Sequence, residues 1–100
     1  MQFQTISIMD LESYLEKPDT WLVDVRTKED YDLYHIEGAR NLPFNQVEEY
    51  VQYLPKDKKY ILYCESGSTS LIAAKKLSQS GFLVYSVIGG LRAWDEQRLN

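Results

Sequence analysis

The chain has 100 residues, of which 44% are hydrophobic and 26% charged, and this length and composition predict one folded domain over residues 1–100. Its 11 basic and 15 acidic residues leave a net charge of -4, which argues against a nucleic-acid partner because the chain repels phosphate overall. No apolar run approaches the roughly 18 residues of a membrane span. The first five residues show no basic region followed by an apolar stretch. We therefore expect a cytoplasmic protein without a membrane partner.

Helical periodicity and capping signals predict five helices. The signals are capping boxes that begin at Ser7 and Thr27, an N-terminal cap at Asn45 and a C-terminal cap at Gly81. The predicted helices cover about residues 7–16, 27–33, 45–54, 71–80 and 91–98.

Short apolar runs rich in β-branched or aromatic residues predict the strands. Three buried strands are predicted at residues 21–25, 60–63 and 83–85, and a brief edge strand at residues 41–42. Because the strands alternate with helices over short connections, the pattern predicts an α/β fold. We expect a mostly parallel sheet that helices cover on both faces.

Cys64 is the only cysteine and His35 the only histidine. One cysteine forms no internal disulfide, and the pair supplies too few ligands for a structural zinc site. Cys64 is therefore a buried inert thiol, a reactive thiol or a partner in an intermolecular bond. A buried inert thiol is the common case, since free cysteine is among the most buried residue types.

The Cys64 loop, residues 64–69, follows a predicted strand and precedes a predicted helix. Ligands of open α/β sheets bind at the carboxyl ends of the strands, which is where this loop lies. Gly67 permits a turn in which backbone N–H groups converge, and the helix amino terminus adds positive potential, so a thiolate at Cys64 is stabilised. Further hydroxyl donors come from Ser66, Ser68, Thr69 and Ser70. These residues suit a nucleophilic sulfur, and an inert thiol that merely ends a strand is an alternative of equal weight.

Several motifs stand in a fixed order from about Ile6 to Trp94. They are LVDVR at 22–26, then Glu29 and Tyr31, HIEGARNLP at 35–43, Tyr63 with the Cys64 loop, and YSVIGGLRAW at 85–94. In this order they resemble the rhodanese-like domain family. The resemblance implies a central five-stranded, mostly parallel sheet flanked by helices on both faces. It also implies a sulfurtransferase that moves sulfane sulfur from thiosulfate, or from a protein or small-molecule persulfide, to cyanide or a thiol.

The same resemblance assigns roles to residues around the loop. Cys64 is the nucleophile that carries the persulfide, and no metal or organic cofactor is required. Loop amides and hydroxyls bind the substrate, and the residues concerned are Glu65, Ser66, Gly67, Ser68 and Thr69. Asp24 and Arg26 support the site structurally, with Glu29 as an expected partner of Arg26.

The loop departs from the family at two positions. Active members often have arginine directly after the cysteine and at the fifth position after it, where this chain has Glu65 and Thr69. Glu65 should repel an anionic donor such as thiosulfate by about 1 kcal/mol for a solvated contact near 4 Å. We therefore expect the loop to suit a neutral or protein-bound sulfur donor better than thiosulfate.

Two other functions compete with sulfur transfer. A catalytically weak rhodanese-like module that binds another protein is favoured by the absence of arginine from the loop, but the retained cysteine argues against it. A phosphatase or arsenate reductase needs a loop one residue longer or a closing arginine that clamps the oxyanion, and this chain has Ser70 there. His35 precedes a turn, and we predict a structural role for it rather than that of a base for Cys64.

Overall fold

A computed structural model describes residues 3–99 of the chain. The strands are β1 (Gln4–Ile6), β2 (Thr20–Asp24), β3 (Arg40–Asn41), β4 (Lys59–Tyr63) and β5 (Leu83–Val87). They form one parallel sheet in the order β1-β5-β4-β2-β3. The α/β class and the five-stranded parallel sheet are therefore confirmed. Met1, Gln2 and Asn100, which the predicted domain includes, lie outside the described residues.

Within residues 3–99, five α-helices connect the strands or follow them. They are α1 (Leu11–Leu15), α2 (Lys28–Leu33), α3 (Val47–Tyr50), α4 (Ser68–Gln79) and α5 (Gly90–Arg98). Turns of 3-10 helix precede α1 and flank α3, at Ile8–Asp10, Phe44–Gln46 and Val51–Tyr53. Across residues 3–99, none of the helices combines the length and the apolar character that crossing a membrane requires.

The segment after β3 differs from the single helix predicted for residues 45–54. It consists of α3 between two 3-10 turns, and Pro43 rather than Asn45 is the N-cap of the first turn. The predicted cap at Asn45 is therefore wrong. Valine and tyrosine recur through this segment and have modest helix propensity, which explains why it contains only one short α-helix.

The other two predicted N-terminal caps, Ser7 and Thr27, accept backbone N–H groups as expected. Thr27 Oγ1 accepts the N–H of Asp30 at 3.2 Å at the start of α2. Ser7 accepts the N–H of Met9 at 3.0 Å, so it caps the 3-10 turn that precedes α1. α4 begins three residues earlier than predicted, at Ser68, and therefore lies closer to Cys64.

Strand β1 was not predicted from the pattern of apolar residues. It has three residues, of which Ile6 alone is buried. It pairs with β5 in a register that places Ile6 beside Val87. Such a short edge strand carries almost no alternation of its own, and only pairing with a distant segment defines it.

The core has one layer on each face of the sheet, and β4 contributes to both. Tyr60, Leu62 and Cys64 belong to the cluster that includes Ala73, Ala74 and Leu77 of α4. Ile61 and Tyr63 belong to the opposite cluster, with Leu11 of α1 and Leu91 and Trp94 of α5. Since successive strand side chains alternate in direction, Cys64 continues the alternation beyond the end of β4 and faces α4.

Candidate active site

The thiol of Cys64 lies at the carboxyl end of β4, beside the amino terminus of α4. Its Sγ accepts the backbone N–H of Gly67 at 3.1 Å and that of Ser70 at 3.2 Å. Cys64 is buried, with 4% of its surface exposed. Two amide donors and the positive end of a helix therefore point at the sulfur atom. Of these two donors, Gly67 is one of the predicted loop residues, and Ser70 lies just beyond them.

Gly67 is the residue that lets this turn form. Its φ of 106° lies in the left-handed region, and it is the N-cap of α4. A Cβ at this position would lie 3.0 Å from the backbone N of Gly89. Glycine therefore satisfies both the backbone conformation and the close approach of the neighbouring turn.

The first turn of α5 fixes the main chain of the loop. The N–H of Leu91 donates to the carbonyl of Cys64 at 2.8 Å, and that of Arg92 donates to the carbonyl of Glu65 at 3.0 Å. These two donors are not among the predicted site residues. A glycine pair between a predicted strand and a predicted helix was the available signal, because such a pair permits close backbone approach.

The sequence predicted that hydroxyl groups of the loop are donors at the site, but the sulfur of Cys64 accepts no hydrogen bond from them within residues 3–99. Ser70 Oγ donates to the carbonyl of Gly67 at 3.2 Å and shares a 2.8 Å hydrogen bond with Ser86 Oγ. Throughout residues 3–99, the hydrogen bonds to Sγ come from backbone amides and none comes from a hydroxyl. The loop thus acts on the sulfur through its main chain.

A pocket of about 390 Å³ opens beside Cys64. Glu65 and Thr69 line it from the Cys64 loop, and Arg26 lines it from the segment after β2. Phe44 adds an apolar wall. Of the predicted loop residues, Ser66, Gly67 and Ser68 are not among the described residues that line the pocket, although Gly67 reaches the sulfur through its amide.

Asp24, Arg26 and Glu65 form a chain of charges behind and beside this pocket. The buried carboxylate of Asp24 accepts the backbone N–H of Arg26 at 2.8 Å, Nε at 3.1 Å and Nη2 at 2.8 Å. Arg26 Nη1 lies 3.6 Å from Glu65 Oε1. Burial opposes the charge of Arg26, but the hydrogen bond and negative charge of Asp24 outweigh it, so the pKa of Arg26 lies above its ordinary value.

The expected pairing of Arg26 with Glu29 is wrong. In the described part of the chain, the ion pairs of Arg26 are with Asp24 and Glu65. Asp24 ends β2 and Glu65 follows β4, and these two strands are neighbours in the sheet. Glu29 is exposed in the first turn of α2. The adjacency of the two strand ends therefore determines the partners of Arg26.

His35 contacts Tyr31 rather than Cys64. Its Nδ1 donates to the carbonyl of Tyr31 at 2.7 Å, and the two rings stack at 3.7 Å between centroids. His35 lines a separate cavity with Trp94. Residues 3–99 contain no group of three or more histidine, cysteine or acidic side chains placed to hold a metal ion.

The chain is similar to known proteins over nearly its whole length. Residues 7–97 match the model of the rhodanese-like domain. Thiosulfate sulfurtransferase GlpE of Coxiella burnetii is 34% identical over 95 residues, which cover 94% of this chain and 89% of that protein.

Solved structures give the same result. A rhodanese-related protein of Thermoplasma volcanium has a TM-score of 0.87 and 29% identity, covering 95% of this chain and 93% of that one. A rhodanese-like domain protein of Staphylococcus aureus has a TM-score of 0.84 and 27% identity, covering 92% and 91%. The fold and these similarities show one rhodanese-like domain over residues 7–97, and the chain belongs to the rhodanese-like domain family.

Proposed function

We propose that this chain, a rhodanese-type sulfurtransferase, transfers a sulfane sulfur from a donor to a thiophilic acceptor through a persulfide on Cys64. The predicted enzyme class is confirmed by the family match and the similarity to a thiosulfate sulfurtransferase. One observation supports the role of Cys64 above all others: its Sγ accepts two backbone N–H groups beside an open pocket. A cytoplasmic location is part of the same proposal.

The first half-reaction loads the sulfur. The Cys64 thiolate attacks the sulfane sulfur of the donor, and a new S–S bond forms at Sγ. The bond within the donor breaks, and its electron pair leaves with sulfite from thiosulfate or with a thiolate from a persulfide. Backbone amides of the Cys64 loop stabilise the negative charge of the bound persulfide, as preorganised donors do in other anion sites.

The second half-reaction transfers the outer sulfur of the persulfide to the acceptor. Cyanide or a thiolate attacks the outer sulfur of the persulfide, and Cys64 leaves as the thiolate that the amides of Gly67 and Ser70 stabilise. Covalent catalysis thus divides the transfer into two easier displacements. One cysteine is sufficient, because the second sulfur atom of each step belongs to the donor or the acceptor.

A catalytically weak module that binds another protein is the second candidate. Its support is the composition of the loop region, where no arginine or lysine occurs between Cys64 and Ala74. The two candidates differ in one observable property, since only the sulfurtransferase accumulates a persulfide.

Intact-mass measurement tests the proposal. The protein is incubated with thiosulfate and, separately, with a cysteine desulfurase and cysteine, and Cys64→Ala is the matched control. We expect a gain of one sulfur atom that cyanide removes and that Cys64→Ala does not show. If neither donor adds sulfur, the persulfide mechanism is wrong and the binding module is favoured.

A further inference from the structure

The pocket beside Cys64 is lined by more negative than positive charge. Its charged side chains within residues 3–99 are Arg26, Asp30 and Glu65. Lys28, close to Arg26 in the chain, pairs with Asp32 at 2.5 Å. Two carboxylates therefore face the pocket with one cation.

Arg26, the one cation, already forms hydrogen bonds and ion pairs with other groups. Arg26 directs Nε and Nη2 to the buried carboxylate of Asp24, and Nη2 also donates to the carbonyl of Tyr34. Its Nη1 faces Glu65 at 3.6 Å. Asp24 already balances the charge of Arg26, so Arg26 cannot fully neutralise Glu65 or turn toward an anion in the pocket.

Glu65, in contrast, is placed to meet a substrate. Its main chain is fixed beside Cys64 by the hydrogen bond from Arg92, while its side chain is 57% exposed. Glu65 and Cys64 line the same pocket. A group attached to a sulfur that attacks from this pocket therefore comes near the Glu65 carboxylate.

We propose that Glu65 is a specificity-determining residue that selects thiol acceptors carrying a positive charge near the sulfur, such as a cysteine beside an ammonium or guanidinium group. Anionic thiols are disfavoured by the same carboxylate. The inference rests on the proposed function, because it concerns the acceptor that attacks the Cys64 persulfide.

The reaction step is the second half-reaction with a thiol. The acceptor thiol loses its proton to solvent, and its thiolate attacks the outer sulfur of the persulfide. A new S–S bond forms on the acceptor as the bond to Cys64 Sγ breaks, and the electron pair stays on Sγ. Charge on the acceptor changes only how strongly Glu65 attracts it, by about three-fold in rate per unit charge near 6 Å in water.

A series of small thiols of graded charge tests the proposal. Cysteamine is cationic, 2-mercaptoethanol is neutral and 3-mercaptopropionate is anionic, and kcat/KM is measured for each with thiosulfate as the common donor. Intrinsic thiol reactivity cancels when each acceptor is compared between wild type and Glu65→Gln. The control is Glu16→Gln, which removes an exposed carboxylate before β2, at the opposite edge of the sheet.

We expect the ratio of cysteamine to 3-mercaptopropionate rates to fall about ten-fold in Glu65→Gln, from two unit steps of charge. Glu65→Lys should lower the ratio further, and added salt should shrink the difference because it screens exposed charges. An unchanged ratio in Glu65→Gln, or an equal fall in Glu16→Gln, overturns the proposal while the sulfurtransferase assignment stands. If wild type forms no persulfide by mass, the proposed function fails and this inference fails with it.

Discussion

Gly90 lies directly against the backbone carbonyl of Cys64. A Cβ on Gly90 would approach that oxygen to 2.3 Å and the carbonyl oxygen of Glu65 to 2.9 Å. The next residue, Leu91, donates its N–H to the carbonyl of Cys64. The amino terminus of α5 thus fixes the main chain from which the proposed nucleophile projects, and this contact leads to the first prediction.

Replacing Gly90 by alanine should displace the Cys64 loop. Overpacking of this kind costs about 1–3 kcal/mol of unfolding free energy, and we expect a fall in sulfur-transfer kcat/KM because Sγ moves relative to its amide donors. Urea unfolding and steady-state rates measure both effects. Gly38→Ala is the matched control, since Gly38 also has positive φ but has no atom within 4 Å of a Cβ. Equal losses in both variants would show that backbone conformation, rather than the contact, matters at Gly90.

Removing the side-chain charge of Arg26 should destabilise the protein strongly. Arg26→Met leaves the fully buried Asp24 carboxylate without its cation, and breaking such a pair costs about 3–5 kcal/mol. The double variant Asp24→Asn with Arg26→Met removes both charges and should be the more stable of the two. Urea unfolding of the single and double variants tests this expectation. A double variant as unstable as the single one would show that the pair acts through packing instead of charge.

Glu65→Arg should increase activity with thiosulfate. The substitution replaces a negative by a positive charge beside Cys64, and attraction to the dianion predicts about a hundred-fold rise in kcat/KM at low salt, from four factors of about three. Glu16→Arg makes the same charge change at a distant exposed site and should leave the rate near that of wild type. An unchanged thiosulfate rate in Glu65→Arg would refute the view that Glu65 disfavours anionic donors.

Alkaline pH should destabilise the fold through buried tyrosine. Burial raises the pKa of Tyr60 to about 12, whereas an unfolded tyrosine ionises near pH ~10. The contribution of Tyr60 to stability is therefore complete below pH ~10 and is lost as the pH rises through its folded pKa. Burial also raises the pKa of Tyr63, which adds to the same loss.

Unfolding free energies measured between pH 8 and pH 12 test this prediction. Tyr60→Phe removes one ionisable group and should show a shallower decline of stability above pH ~10. Tyr53→Phe is the control, because it makes the same substitution at a tyrosine that is 72% exposed. Parallel curves for wild type and Tyr60→Phe would mean that Tyr60 does not contribute to alkaline unfolding.

The sequence by itself determined the α/β class, the position of Cys64 after a buried strand and the turn at Gly67. These features depend on residues close together in the chain: the alternation of β4, a left-handed glycine and a helix start. The order of the motifs indicated the family. The family resemblance in turn implied a fifth strand, which the periodicity of residues 4–6 could not indicate.

Only the tertiary structure decided which distant groups complete the site. Arg26 pairs with Glu65 because β2 and β4 are neighbours in register, with Asp24 beside Tyr63. Gly90 lies against the carbonyl of Cys64 because β5 pairs with β4, so that α5, which follows β5, begins beside the carboxyl end of β4. Such contacts depend on strand order and register, which local patterns of side chains do not encode.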